Sequence, residues 1–187
     1  MIKALIFDYF DVFRADGYNR WLKDHGYERT GPFLEASERH DRGEFSDQEF
    51  FQAIAEASGE TAAQVEREME ADIELNTELV QYVEELGTSY KIALLSNSSS
   101  DYLRNELAMH ELEKHFHEIV ISSEVKLIKP EPEIFKHIMK KLSVNPQECI
   151  FIDDNPRNVA AARTLGIHGI VFANLQQLKK ELIEHLG

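Results

Sequence analysis

Asp8, the pair Ser96–Asn97, Lys129 and the pair Asp153–Asp154 are the residues of this 187-residue chain whose types and spacing could do chemistry together. Two or three carboxylates gathered at one point repel one another unless a cation neutralises them. Mg²⁺ suits that role because it takes oxygen ligands and bridges to phosphate. A carboxylate held beside Mg²⁺ can attack phosphorus and form an acyl phosphate, which splits a difficult hydrolysis into two steps. A lysine and a hydroxyl–amide pair can hold the non-bridging oxygens as charge develops. A helix opening at Ser98–Asp101 would add backbone N–H groups aimed at an anion. Taken singly, each signal has a plainer explanation: a turn aspartate, a Ser-Asn cap, a solvated lysine, or carboxylates favoured at a helix start. Their order, one at the end of each of four apolar segments or shortly beyond it, is what argues for a single site.

Those segments are Lys3–Asp8, Lys91–Asn97, Glu118–Ser122 and Cys149–Asp153, with a fifth at Gly169–Phe172. They are rich in Ile, Val, Leu and Phe and do not alternate with polar residues, the pattern of strands covered on both faces. Helices are predicted at Asp101–Lys114, Glu133–Leu142, Pro156–Leu165 and about Leu175–His185. Asn155 is a suitable N-cap for the third, Pro156 suits its first position, and Gly166 ends it. The strand–helix alternation predicts a doubly wound parallel α/β sheet, whose strand ends share one edge.

The stretch between the first two strands is far longer than one crossover needs. Its pattern is helical. Ser46–Glu49 forms a capping box before DQEFFQAIAEAS, and Thr61–Gln64 a second before AAQVEREMEADI. Apolar residues around Tyr18, Trp21 and Leu22, and around Phe33 and Leu34, predict two earlier helices. The chain therefore divides into a core of residues 1–13 and 77–187 and a small helical cap of residues 14–76 inserted after the first strand. An insert at that point sits over the carboxyl ends of the strands, where ligands bind, and is placed to act as a lid.

A net charge of −14 argues against a general nucleic-acid binder, which needs a basic surface. The N-terminal MIKALIFDYF is too short and too charged for a signal peptide or membrane span. Cys149 is the sole cysteine, so an internal disulfide is excluded, and its apolar neighbours make it a buried thiol. These features together favour a cytoplasmic protein without a membrane partner, and a monomer or weak dimer is expected.

IFDYFDVF, LLSN, SSEVKLIKPEPEIF and FIDDNPRNVAAARTLGIHGIVF, in that order, resemble the four motifs of the haloacid dehalogenase-like superfamily. The likeness covers the Rossmann-like core, with the cap where the cap-1 subfamilies carry theirs. It implies a hydrolase, phosphatase-like, acting on a small phosphorylated metabolite with Mg²⁺. Asp8 would be the nucleophile and a metal ligand, the Phe10 carbonyl a second ligand and Asp154 a direct ligand. Asp153 would support Asp154. Ser96 and Asn97 would hold the phosphoryl group, and Lys129 would neutralise Asp8 and phosphate.

The chain departs from the family pattern at three places. Phosphatases of the family usually carry a second aspartate two residues after the nucleophile, to protonate the leaving group and activate water. Here that residue is Phe10, Asp11 follows it, and Lys126 stands where Gly is common. Slow turnover on poor leaving groups follows. Two alternatives stay open: a catalytically impaired protein that binds a phosphorylated ligand or partner, and a 2-haloacid dehalogenase, which needs no leaving-group acid. Asp11 is expected to point away from the acid's position. The histidines, among them His25, His40, His110 and His115, are expected at the surface or at helix ends. Trp21, Phe50 and Phe51 are expected in the core of the cap. Arg14 and Tyr18 could face the site entrance.

Overall fold

The computed structural model describes residues 1–71 and 73–186. Chain order is β1 (Ala4–Phe7), α1 (Gly17–Asp24), α2 (Gly31–Asp41), α3 (Asp47–Ser58), α4 (Ala62–Glu70), α5 (Thr77–Gly87), β2 (Lys91–Ser96), α6 (Ser100–Met109), β3 (Glu118–Ile121), α7 (Ser122–Val125), α8 (Pro132–Leu142), β4 (Cys149–Asp153), α9 (Pro156–Thr164), β5 (His168–Val171) and α10 (Leu175–Leu186). The five strands form one all-parallel sheet in the order β3-β2-β1-β4-β5. This is the doubly wound, Rossmann-like α/β fold expected from the apolar runs.

Both faces of the sheet are covered, which explains why the strands do not alternate with polar residues. Leu5, Phe7, Ile92, Leu94, Ile150 and Ile152 pack on one face. Ala4, Ile6, Ala93, Leu95, Cys149 and Phe151 pack on the other. Helices α1–α4 bury a third cluster of their own, including Trp21, Phe33, Phe50, Ile54 and Val65. Phe51 is half-buried against it. Among the described residues no helix is long and apolar enough to cross a membrane.

The strand order decides where a site can form. From β1 the chain moves outward through β2 to β3, then returns to place β4 on the other side of β1. The order therefore reverses between β1 and β4, and the crevice outside their carboxyl ends is where ligands bind in such sheets. Phe7 lies opposite both Leu94 and Ile152, so the residues that follow these strands start out level.

Local signals held with two exceptions. Ser46 accepts the Glu49 N–H while Glu49 accepts the Ser46 N–H, completing the first capping box. The second does not form. The Gln64 N–H goes to the Thr61 carbonyl, and the Thr61 hydroxyl donates instead to the Gln64 side chain. That helix ends at Glu70, and Asp72, within its expected span, lies outside the described residues. The helix expected at Asp101–Lys114 stops at Met109 because Glu111 adopts a left-handed φ of 53°. A short 3₁₀ turn over Glu113–His115 follows.

Candidate active site

Asp8 continues β1: its N–H donates to the Ile152 carbonyl at 2.9 Å, which keeps it level with β4. Its Oδ1 accepts the Tyr9 N–H and the Lys129 ammonium, both at 2.7 Å. Oδ2 has no protein donor among the described residues. Lys129, only 4% exposed, also donates to Asp153 Oδ2 at 2.7 Å. Asp153 is fully buried and saturated, since it accepts the Asn155 N–H at 2.8 Å and the Asn158 amide on both oxygens at 3.1 Å. Its neighbour Asp154 is half-buried, and no other residue among those described donates a hydrogen bond to its carboxylate. Oxygens of Asp8, Asp153 and Asp154 all lie within 4.8 Å of one another.

Three carboxylates thus crowd together, and one ammonium pairs with two of them, Asp8 and Asp153. At 4.8 Å and an effective dielectric of about 20, each like-charge pair repels by roughly 3 to 4 kcal/mol. Burial pushes the Asp8 carboxyl well above the usual carboxylate range, Lys129 opposes this, and Asp153 and Asp154 add to it. Burial also raises Asp154, to about 6, with Asp153 and Asp11 reinforcing and Lys129 opposing. Burial pulls the Lys129 ammonium down, but Asp153 and Asp8 outweigh it and hold it above its ordinary value. The site carries surplus negative charge on hard oxygen donors, and it would hold a divalent cation such as Mg²⁺ through Asp8 and Asp154. No donor among the described residues reaches the Phe10 carbonyl, so that oxygen is open as well.

The second motif divides its labour. Ser96 ends β2 fully buried, and its Oγ has no hydrogen-bond partner among the described residues. Asn97 does something its expected role does not include. Its amide accepts the Lys129 N–H at 2.8 Å and donates to the Lys129 carbonyl at 3.0 Å, clamping the lysine's backbone. Of the backbone donors expected over Ser98–Asp101, the Ser98 N–H goes to the Ser122 hydroxyl, while just beyond them the Tyr102 N–H goes to the Ser99 hydroxyl that caps α6.

A cavity of about 490 Å³ opens between these strand ends and the helices α1–α4. Tyr18 lines it, as expected. Arg14 does not: it is buried in an ion pair with Glu106 and lies 5.9 Å over the Tyr102 ring. Phe10 lines the cavity and stacks on Tyr102 with ring centroids 6.1 Å apart. Asp11, at φ 56°, turns its carboxylate to the Asp16 N–H and the Asn19 amide, so it caps rather than replaces the missing acid.

Sequence reasoning missed the cavity wall formed by Arg29, His40 and Asp41. His40 is half-buried, with its ring stacked on Phe50 and its Nε2 2.7 Å from Asp47. Nothing local marks these positions; His40 and Asp41 reach the site at the end of α2, and Arg29 from the segment just before that helix. Lys126 has a left-handed φ of 59°, the physical reason a glycine would suit that position, and its ammonium donates to the Gly43 carbonyl at 2.9 Å. Cys149 is the buried thiol expected, with burial pushing it up to about 12.

A family model described as haloacid dehalogenase-like hydrolase matches residues 12–172. Bifunctional epoxide hydrolase 2 of Rattus norvegicus is 36% identical over 79 residues, covering 42% of this chain and 14% of that protein. Phosphoserine phosphatase of Thermus thermophilus is 35% identical over 80 residues, covering 42% of this chain and 32% of that protein. The aligned stretches thus span well under half of either relative. A HAD family enzyme of Bacteroides thetaiotaomicron, solved with magnesium and inorganic phosphate, superposes with a TM-score of 0.72 at 23% identity. That likeness covers 95% of this chain and 99% of that one, and it speaks for the fold. With the family match spanning most of the core, this chain belongs to the haloacid dehalogenase-like hydrolase superfamily.

Proposed function

We propose that this chain is a magnesium-dependent phosphatase acting on a small phosphorylated metabolite through an aspartyl-phosphate at Asp8. The observation that carries this reading is the set of three carboxylates within 4.8 Å, two of them paired with one ammonium. The magnesium complex of the Bacteroides thetaiotaomicron enzyme supports the choice of ion, and the Thermus thermophilus relative, by its name a phosphatase, supports the reaction class. Asp8, Asp154 and the Phe10 carbonyl would hold the ion, with Asp153 fixing Lys129 and the start of α9. When bound, the ion supplies charge neutralisation and polarises the phosphoryl oxygens.

The protein's own residues do the rest. Asp8 Oδ2, the oxygen without a donor among the described residues, attacks phosphorus as the ester P–O bond breaks. Lys129 and the Ser96 hydroxyl stabilise the equatorial oxygens, and the Asn97 amide acts at one remove by fixing Lys129. Water then attacks the acyl phosphate, releasing inorganic phosphate and restoring the carboxylate. Residues 14–76 serve as the cap, residues 1–13 and 77–187 as the catalytic core, and the working unit is a monomer or weak dimer. A panel of phosphorylated metabolites assayed with Mg²⁺ tests this, using Asp8→Asn as the blank. A turnover equal in wild type and blank refutes it.

Phe10 favours a second reading, in which phosphate is accepted but not released. A stable aspartyl-phosphate or beryllofluoride adduct at Asp8 without turnover would support it. Phe10 also suits dehalogenation, and activity on a 2-haloacid that persists in EDTA would replace the phosphatase reading.

A further inference from the structure

Turnover on a poor leaving group needs a proton donor, and Phe10 has none to give. The remaining acids of the cavity wall differ sharply in what already engages them. Asp11 accepts from Asp16 and Asn19. Asp16 caps α1 through the Tyr18 and Asn19 N–H groups. Asp47 holds His40. Glu38 and Glu70 are exposed.

Asp41 is unlike all of these. It is 9% exposed, and no donor among the described residues hydrogen-bonds its carboxyl group. Its partner cation, Arg29 Nη2, stands 3.6 Å from Oδ2, within ion-pair range but too far for a good hydrogen bond. The Asp41 carbonyl accepts from the Ser122 hydroxyl, and the Ser122 Oγ in turn accepts the Ser98 N–H. The end of α2 is therefore pinned to the carboxyl ends of β2 and β3, beside Asn97 and Lys129. Burial pushes the Asp41 carboxyl up to about 6, with Arg29, His40 and Lys129 pulling it down and Asp16 pushing it up. A group titrating near the working pH is the efficient kind of general acid.

We propose that Asp41, from the helical insert, is the general acid–base of this site, taking the role that Phe10 vacates. This rests on the aspartyl-phosphate reading above. As Asp8 attacks phosphorus and the ester P–O bond breaks, the Asp41 carboxyl passes its proton to the leaving oxygen, giving an alcohol. The resulting carboxylate then takes a proton from water as the water oxygen attacks phosphorus, which restores Asp8 and releases inorganic phosphate. Atoms and charge balance with water as the only co-reactant.

The leaving-group dependence of kcat/KM tests this, because kcat/KM reports the steps through formation of the aspartyl-phosphate and not the water attack common to both substrates. Wild type, Asp41→Asn, Asp41→Glu and Asp8→Asn are assayed with Mg²⁺ on an alkyl phosphate and on p-nitrophenyl phosphate, whose leaving group departs without a proton. Asp41→Asn is expected to lose about 10² to 10⁴ on the alkyl ester. Its loss on the aryl ester should be at least tenfold smaller, with Asp41→Glu recovering part of the alkyl rate. The ratio of the two substrates within one preparation is independent of how much of the variant is folded. Equal losses on both substrates, no loss on either, or a wild type that turns over only the aryl ester overturns the assignment of Asp41. Activity surviving Asp8→Asn refutes the nucleophile itself, and this inference falls with it.

Discussion

Asp154→Asn should make the cation-free protein more stable while destroying its response to magnesium. Burial and the charges of Asp153 and Asp11 raise the Asp154 carboxyl from 3.8 to about 6. A group bound more tightly to its proton in the folded state costs stability when it ionises, so its penalty grows as pH rises from the unfolded value through the folded one. A shift of about two units corresponds to roughly 3 kcal/mol at pH 7.5 and about a third of that at pH 4.5. Asp154 is partly exposed, so solvent screening cuts the first figure to about 1–2 kcal/mol. The asparagine keeps the shape and removes the charge. Urea unfolding in EDTA is therefore expected to show the variant about 1–2 kcal/mol more stable than wild type at pH 7.5, with most of that gain gone at pH 4.5. Adding Mg²⁺ at about a hundred times its dissociation constant should stabilise wild type by about 2.7 kcal/mol and the variant far less. A variant less stable than wild type in EDTA, or a gain that persists undiminished at pH 4.5, would refute the claim that crowded carboxylates await a cation.

Other consequences follow from the same geometry. Lys129→Met leaves Asp8 and Asp153 buried without their counter-charge and should cost about 3–5 kcal/mol in urea unfolding at neutral pH. Part of that loss should return at acid pH, where the carboxyls are neutral. Asn97→Ala removes both hydrogen bonds that fix the Lys129 backbone and should lower kcat more than it raises KM, with about 1–3 kcal/mol of stability lost. Gly43→Ala puts a methyl 2.6 Å from the Lys126 ammonium at a φ of 64°; a thermal melt should show it destabilised by about 1–3 kcal/mol. Cys149 should resist thiol reagents in the folded protein and react once urea unfolds it, because its thiol is buried and its deprotonation disfavoured.

Features with local causes could be read from the order of residues alone. Doubly buried strands announce themselves as short Ile, Val, Leu and Phe runs, so all five were legible to within a residue or two. Asn155 before Pro156 and the Ser46–Glu49 box fix helix starts through their own neighbours, whereas the Thr61 box failed because the Thr61 carbonyl took the Gln64 N–H first. The aspartates at strand ends were visible for the same reason. Adjacency, in contrast, arises only once the chain is folded. The placement of β1 between β2 and β4 sets Asp8 level with Asp153 and Asp154, and no residue near Asp8 in the chain encodes that neighbour. The Asn97 clamp on Lys129 joins residues separated by 32 positions. The wall of Arg29, His40 and Asp41 depends on the angle at which α2 docks against Ser122. Such contacts arise from the handedness of crossovers and the packing of whole faces, which are properties of the folded chain rather than of any stretch of its sequence.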